Sequence, residues 1–145
     1  MKKVREVEII SRFEGRTIPK KRYAAFALDV MNRLEMEGRA AVLFCGPAKM
    51  KELNKYFLGK DRPTDVLSFP SGTEEEEGIV NIGDIAVCVQ VARKQAAEHG
   101  WTLEKEIKKL LVHAFLHLDG CDHATDRGEM EKKESRILVE MGVNG

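Results

Sequence analysis

The chain lacks most of the features that would mark a specialised class of protein. No uninterrupted apolar run in its 145 residues approaches the roughly 18 that a membrane helix needs. The N-terminal MKKVREVEII carries basic residues, but its apolar part alternates with charge and is too short for a signal peptide, so a cytoplasmic location is expected. Only three cysteines are present, Cys45, Cys88 and Cys121. An odd number, widely spaced, argues against a disulfide framework. Cys45 and Cys88 close apolar runs and read as small buried hydrophobes. Net charge is also absent, because 24 Lys and Arg balance 24 Asp and Glu. That balance argues against a basic protein that coats nucleic acid. It is uneven, however: residues 1–22 hold eight Lys or Arg against three Glu. Such a segment offers either a local surface for phosphates or a solvated face. There is no internal repeat.

With 43% hydrophobic and 33% charged residues, the composition is that of a globular chain, expected to form one domain over residues 1–145. Val4 to Ile10 alternates polar and apolar residues and reads as a strand, followed by a turn from Arg12 to Thr17. A helix is expected from Pro19 to about Glu37, with Tyr23, Phe26, Ala27, Val30, Met31 and Leu34 on one stripe and Gly38 as its terminator. Arg39 to Cys45 reads as a strand, and Pro47 opens a short helix that stops at Gly59. Thr64 to Phe69 is a third strand. SGTEEEEG follows as a surface loop whose four glutamates repel one another. Ile79 to Val87 is a strand passing into a helix from Gln90 to His99. The next helix runs from Leu103 to Leu118 with Thr102 as N-cap. Asp126 and Glu129 stand at capping-box spacing before a last helix that reaches about Met141. The expected fold is α+β: a mixed four-stranded sheet covered by helices.

The densest chemistry lies in HAFLHLDGCDH, His113 to His123, which holds three of the four histidines. His113 and His117 are four apart on a helix, so they share a face and can aim their nitrogens at one point. Gly120 lets the backbone turn after the helix, which can return His123 as a third ligand. Three neutral imidazoles leave a tetrahedral metal with one position for water, which the metal acidifies. Nitrogen ligands favour one Zn²⁺ per chain, although Ni²⁺, Co²⁺ or Cu²⁺ would also bind. Cys121 offers an alternative, a closed structural site. Asp119 and Asp122 are candidate acceptors for imidazole N–H groups or plain turn carboxylates. The spacing equals that of the extended zinc proteases, His-Glu-x-x-His-x-x-Gly-x-x-His, but Ala114 stands in the place of their glutamate. Alanine cannot act as a general base, which disfavours peptide hydrolysis by that route. A phosphodiester could supply a base from its own oxygens, and a ribose 2′-hydroxyl could supply a nucleophile.

With these residues the chain resembles the YbeY endoribonucleases, bacterial rRNA-maturation factors. HAFLHLDGCDH resembles their histidine motif, RPTDVLSFP (Arg62 to Pro70) a second signature, and NIGDIAVC (Asn81 to Cys88) a third. The resemblance implies a zinc-dependent nuclease of single-stranded RNA, with His113, His117 and His123 as ligands at the end of a helix. It also implies a role in 3′-end maturation of small-subunit rRNA and in ribosome quality control. Zero net charge leaves RNA affinity weak without a protein partner, and a ribosomal protein or an assembly GTPase could provide the missing surface. The family commonly carries an arginine after an aromatic residue shortly before TDVLSFP. Here Leu58 follows Phe57, and Lys60 and Arg62 are the nearby cations. Arg62, held beside Pro63, is the stand-in candidate for a phosphate contact. The candidate catalytic set is therefore Arg62, Asp84 and His117, where Asp84 is either an RNA-side residue or a turn acceptor. Thr64, Asp65 and Ser68 are the polar residues of the second signature left to face a groove, and Asn54 is similarly ambiguous. A zinc peptidase and a non-catalytic, zinc-containing assembly protein are the competing readings.

Overall fold

A computed structural model describes residues 4–12, 18–71, 75, 76, 78–120 and 127–143. In chain order the elements are β1 (Arg5–Arg12), α1 (Lys20–Arg33), β2 (Gly38–Cys45), α2 (Pro47–Leu58), β3 (Val66–Pro70), β4 (Glu75–Glu76), β5 (Ile79–Cys88), α3 (Val89–His99), α4 (Leu103–Leu118) and α5 (Glu129–Glu140). The fold is α+β, as expected. Its mixed sheet has the order β1-β2-β5-β3. β1, β2 and β5 run parallel, and β3 is antiparallel to β5. Among the described residues no helix is long and apolar enough to cross a membrane.

Period-2 alternation divides the sheet into two unlike faces. Val42 and Phe44 of β2, with Ile85 and Val87 of β5, join Val30 and Met31 of α1 and Leu111 and Phe115 of α4 in the main core. Met130, Ile137 and Leu138 of α5 close that core from outside α4. The other face is covered by α2: Met50 packs with Cys45, Leu67, Ala86 and Cys88 in a smaller cluster. Cys45 and Cys88 are buried free thiols, as their apolar context implies. Phe115 is fully buried, and Phe115→Ala at such a site costs about 3–5 kcal/mol. This anchors α4, the helix that carries the histidines.

Several expectations are corrected. The first helix ends at Arg33 and not near Glu37. Glu35 takes φ +55°, and the Met36 N–H returns to the Met31 carbonyl at 2.9 Å. Burial of Met36 in the core accompanies this Schellman-type stop. Gly38 does not terminate the helix. It opens β2 at φ +128°, where any Cβ would collide with the Val80 carbonyl oxygen of β5. β1 reaches Arg12, which the sequence assigned to a turn. β3 begins at Val66, two residues later than expected. Within the glutamate loop, Glu75 and Glu76 form β4, paired with Val80 and Ile79 of β5. At α5 the N-cap position is Gly128. Asp126, the expected cap, lies outside the described residues, as do Cys121, Asp122 and His123.

Candidate active site

α4 is a strong helix with an apolar stripe, and Thr102 caps it by accepting a hydrogen bond from the Lys105 N–H at 3.1 Å. Glu104 and Glu106 in the first turn complement the helix dipole. Along its exposed edge the sequence places His113 and His117 one turn apart. Their Nε2 atoms lie 3.1 Å from one another. Two nitrogens on a tetrahedral zinc, each about 2.0–2.1 Å from the ion, stand about 3.3 Å apart. The pair is therefore already near ligand spacing. His113 Nδ1 faces Glu134 Oε1 of α5 at 3.1 Å. A carboxylate at Nδ1 fixes the tautomer that leaves Nε2 with its lone pair, as carboxylates behind metal-binding histidines do. This hydrogen bond with Glu134 raises the His113 pKa, against the opposing effect of burial, with the Glu134 and Asp65 charges adding to the rise.

The helix ends at Leu118 with Asp119 as its C-cap, and Gly120 turns the chain with φ +91°. The turn expected after the histidine helix is thus present. Asp119 pairs with Lys133 at 3.6 Å, so its described partner is an ammonium and not an imidazole. Partial burial nonetheless raises its pKa, which Lys133 opposes.

The histidines open into a cleft of about 670 Å³ between α4 and β3. Asp65 and Ser68 of the second signature line it, together with Leu58, Lys109 and Glu134. Asp65 Oδ1 accepts from the Val66 N–H at 2.7 Å and from Thr64 Oγ1 at 3.3 Å, which pins the start of β3. Asn54 is 2% exposed. Its Nδ2 donates to the Arg62 carbonyl at 2.8 Å, so it is a tether for the loop after α2.

Two candidates are not brought to the cleft. Asp84 faces away from it. In β5 it pairs across with Phe69, whereas Ile85 pairs with Ser68. Alternation therefore puts Asp84 on the α2 face and Ser68 on the histidine face. There Asp84 borders two smaller clefts, and partial burial followed by the Glu8 charge raises its pKa. Asp84 and the histidine cleft thus lie on opposite sides of the sheet. Arg62 is exposed on the loop after α2 and does not line the histidine cleft. Leu58, the position where the arginine was missed, does line it while 56% exposed.

Sequence reasoning overlooked Glu134 and Lys109. Glu134 had a legible signal, because it falls on the stripe of Met130, Ile137 and Leu138, where an apolar residue was due. No group of three metal-binding side chains occurs among the described residues, a set that excludes His123.

Fold and cleft together define an α+β protein with two convergent imidazoles on a cleft wall. The family description "Endoribonuclease YbeY" matches residues 8–142. Curated relatives of that name include one from Solibacter usitatus, 45% identical over 70% of this chain and 65% of its own length. Another, from Aquifex aeolicus, is 40% identical over 81% of this chain and 75% of its own length. A Thermotoga maritima protein solved in solution superposes with a TM-score of 0.61 at 30% identity, covering 94% of this chain and 93% of its own. The chain belongs to the YbeY family of endoribonucleases, hydrolases whose substrate is RNA. That membership favours neither the peptidase nor the non-catalytic reading.

Proposed function

We propose that the chain acts as one domain over residues 1–145, a zinc-dependent endoribonuclease that cuts single-stranded RNA in the cytoplasm. Its proposed task is maturation of the small-subunit rRNA 3′ end and ribosome quality control, alongside a ribosomal protein or an assembly GTPase. His113, His117 and His123 are the proposed ligands of one zinc ion. The observation that carries the reading is the 3.1 Å approach of the two Nε2 atoms, with Glu134 behind His113. When bound, zinc supplies Lewis acidity toward a phosphoryl oxygen. The protein's own side chains hold the imidazoles in the required tautomer and bring carboxylates near a dication. Lys109 puts a positive charge on the same cleft wall, suited to a substrate phosphate. Arg62 contacts the RNA backbone outside the cleft, on the approach to it.

Purified protein should hold about one zinc per chain. His117→Ala should lose most of it, together with cleavage of a labelled unstructured RNA, while Cys121→Ser keeps both. Equal zinc in wild type and His117→Ala overturns the site. Loss of zinc in Cys121→Ser, with the fold retained, would instead favour a closed structural centre.

A further inference from the structure

The corner between α3 and α4 holds a cluster that the metal chemistry does not use. His99, the last residue of α3, stacks on Trp101 with ring centroids 4.5 Å apart and planes 12° from parallel. His99 Nδ1 lies 2.8 Å from the Gln95 carbonyl oxygen. A carbonyl only accepts, so that nitrogen carries the hydrogen and the ring is held in one orientation. Trp101 Nε1 donates to Glu106 Oε2 at 2.7 Å, and Glu106 is 6% exposed. Lys109 Nζ stands 4.5 Å from the centre of the Trp101 ring. The His99 ring is exposed. His99, Trp101 and Lys109 line the same cleft as His113 and His117.

Three properties of this corner point to one ligand chemistry. The first is an exposed aromatic ring whose orientation is fixed before any ligand arrives. The second is a cation, Lys109, held against Trp101, the ring that seats His99. The third is spacing: Lys109 precedes His113 by four residues, a rise of about 6 Å along α4, comparable to one nucleotide step of an extended strand. A flat ring beside a cation suits an unpaired base and its phosphate. A base inside a duplex has no free face to offer such a ring.

We propose that His99, seated on Trp101, and Lys109 form a nucleotide subsite next to the histidine pair, where His99 stacks on an unpaired base and Lys109 meets the phosphate. This rests on the proposed function and gives it a source of single-strand selectivity. Glu106 and Gln95 are positioning residues, because they act through the rings they hold.

The test pairs a variant with a substrate change. Binding of an unstructured RNA is measured by anisotropy on full-length, metal-loaded protein, with abasic sites placed one at a time along the RNA. Trp101 is the only tryptophan, so its emission gives a second readout at this corner. His99→Ala should weaken intact RNA roughly 5-fold or more, the lower end of one base–aromatic stack. An abasic site at one position should weaken wild type by the same factor. Combining the two should cost no more than either alone. His99→Phe should restore intact-RNA binding. Lys109→Ala should flatten the dependence of log affinity on log salt by about 0.7, the value for one phosphate contact on a single strand. Additive effects at every abasic position, or an unchanged salt slope in Lys109→Ala, overturn the subsite even if wild type binds and cuts RNA normally. If wild type neither binds nor cuts intact RNA, the proposed function falls and the subsite falls with it.

Discussion

Glu134→Ala removes the acceptor 3.1 Å from His113 Nδ1 without touching a proposed ligand. A hydrogen bond to a charged group contributes about 1.5–3 kcal/mol. The His113 and Glu134 side chains keep 37% and 23% of their exposure, so solvent screening selects the low end of that range. About 1.4 kcal/mol is a factor of ten in affinity. That is also the weak end of the roughly 10- to 100-fold contributed by partners behind metal-bound histidines. Zinc affinity in Glu134→Ala should therefore fall about tenfold. Glu134→Gln should lose less, about threefold, because the amide oxygen still accepts the Nδ1–H but carries no charge. The assay is competition for zinc against a chromophoric chelator at neutral pH, with circular dichroism to follow α5. Glu131→Ala, exposed on the same helix, is the control and should bind zinc as wild type does. If Glu134→Ala matches wild type, Glu134 is only a neighbour of His113, and the reasoning from carboxylate to imidazole to metal is refuted.

Leu58→Arg should raise single-turnover cleavage of unstructured RNA at constant zinc content, because Leu58 lines the histidine cleft and a guanidinium there would offer a fork of donors to phosphate. Arg62→Ala, altered outside that cleft, should lower RNA affinity and its salt dependence while sparing the cleavage step; a normal affinity with slow cleavage would reverse this assignment. Asp84→Asn should raise the thermal midpoint at neutral pH. The folded pKa of Asp84 is raised by burial and by Glu8, so its ionisation opposes folding above that pKa. The gain should fade as pH falls below the ordinary aspartate value of about 3.9, where the carboxyl is protonated in both states. A lower midpoint for Asp84→Asn at neutral pH contradicts this account.

The local rules of the chain determined a good deal by themselves. Four-residue spacing put His113 and His117 on one helical face. Thr102 set the start of that helix, and Gly120 allowed the turn after it. Alternation in VLSF already separated Val66 and Ser68 from Leu67 and Phe69, and the sheet keeps that division. These features depend on backbone periodicity and caps, which act over a few residues. The tertiary structure decided what depends on neighbours distant in sequence. Glu134 reaches His113 only because α5 packs on α4, across a separation of 21 residues. Asp84 came to the α2 side of the sheet, away from the histidines, because strand pairing fixed its face. The first helix stopped at Arg33 because Met36 had a core to enter, and Gly38 was needed where β2 passes the Val80 carbonyl. Leu58 and Lys109 came to share a cleft with the histidines through the packing of α2, β3 and α4. Periodicity tells which face of an element a residue occupies, but only the packed sheet and helices determine what that face meets.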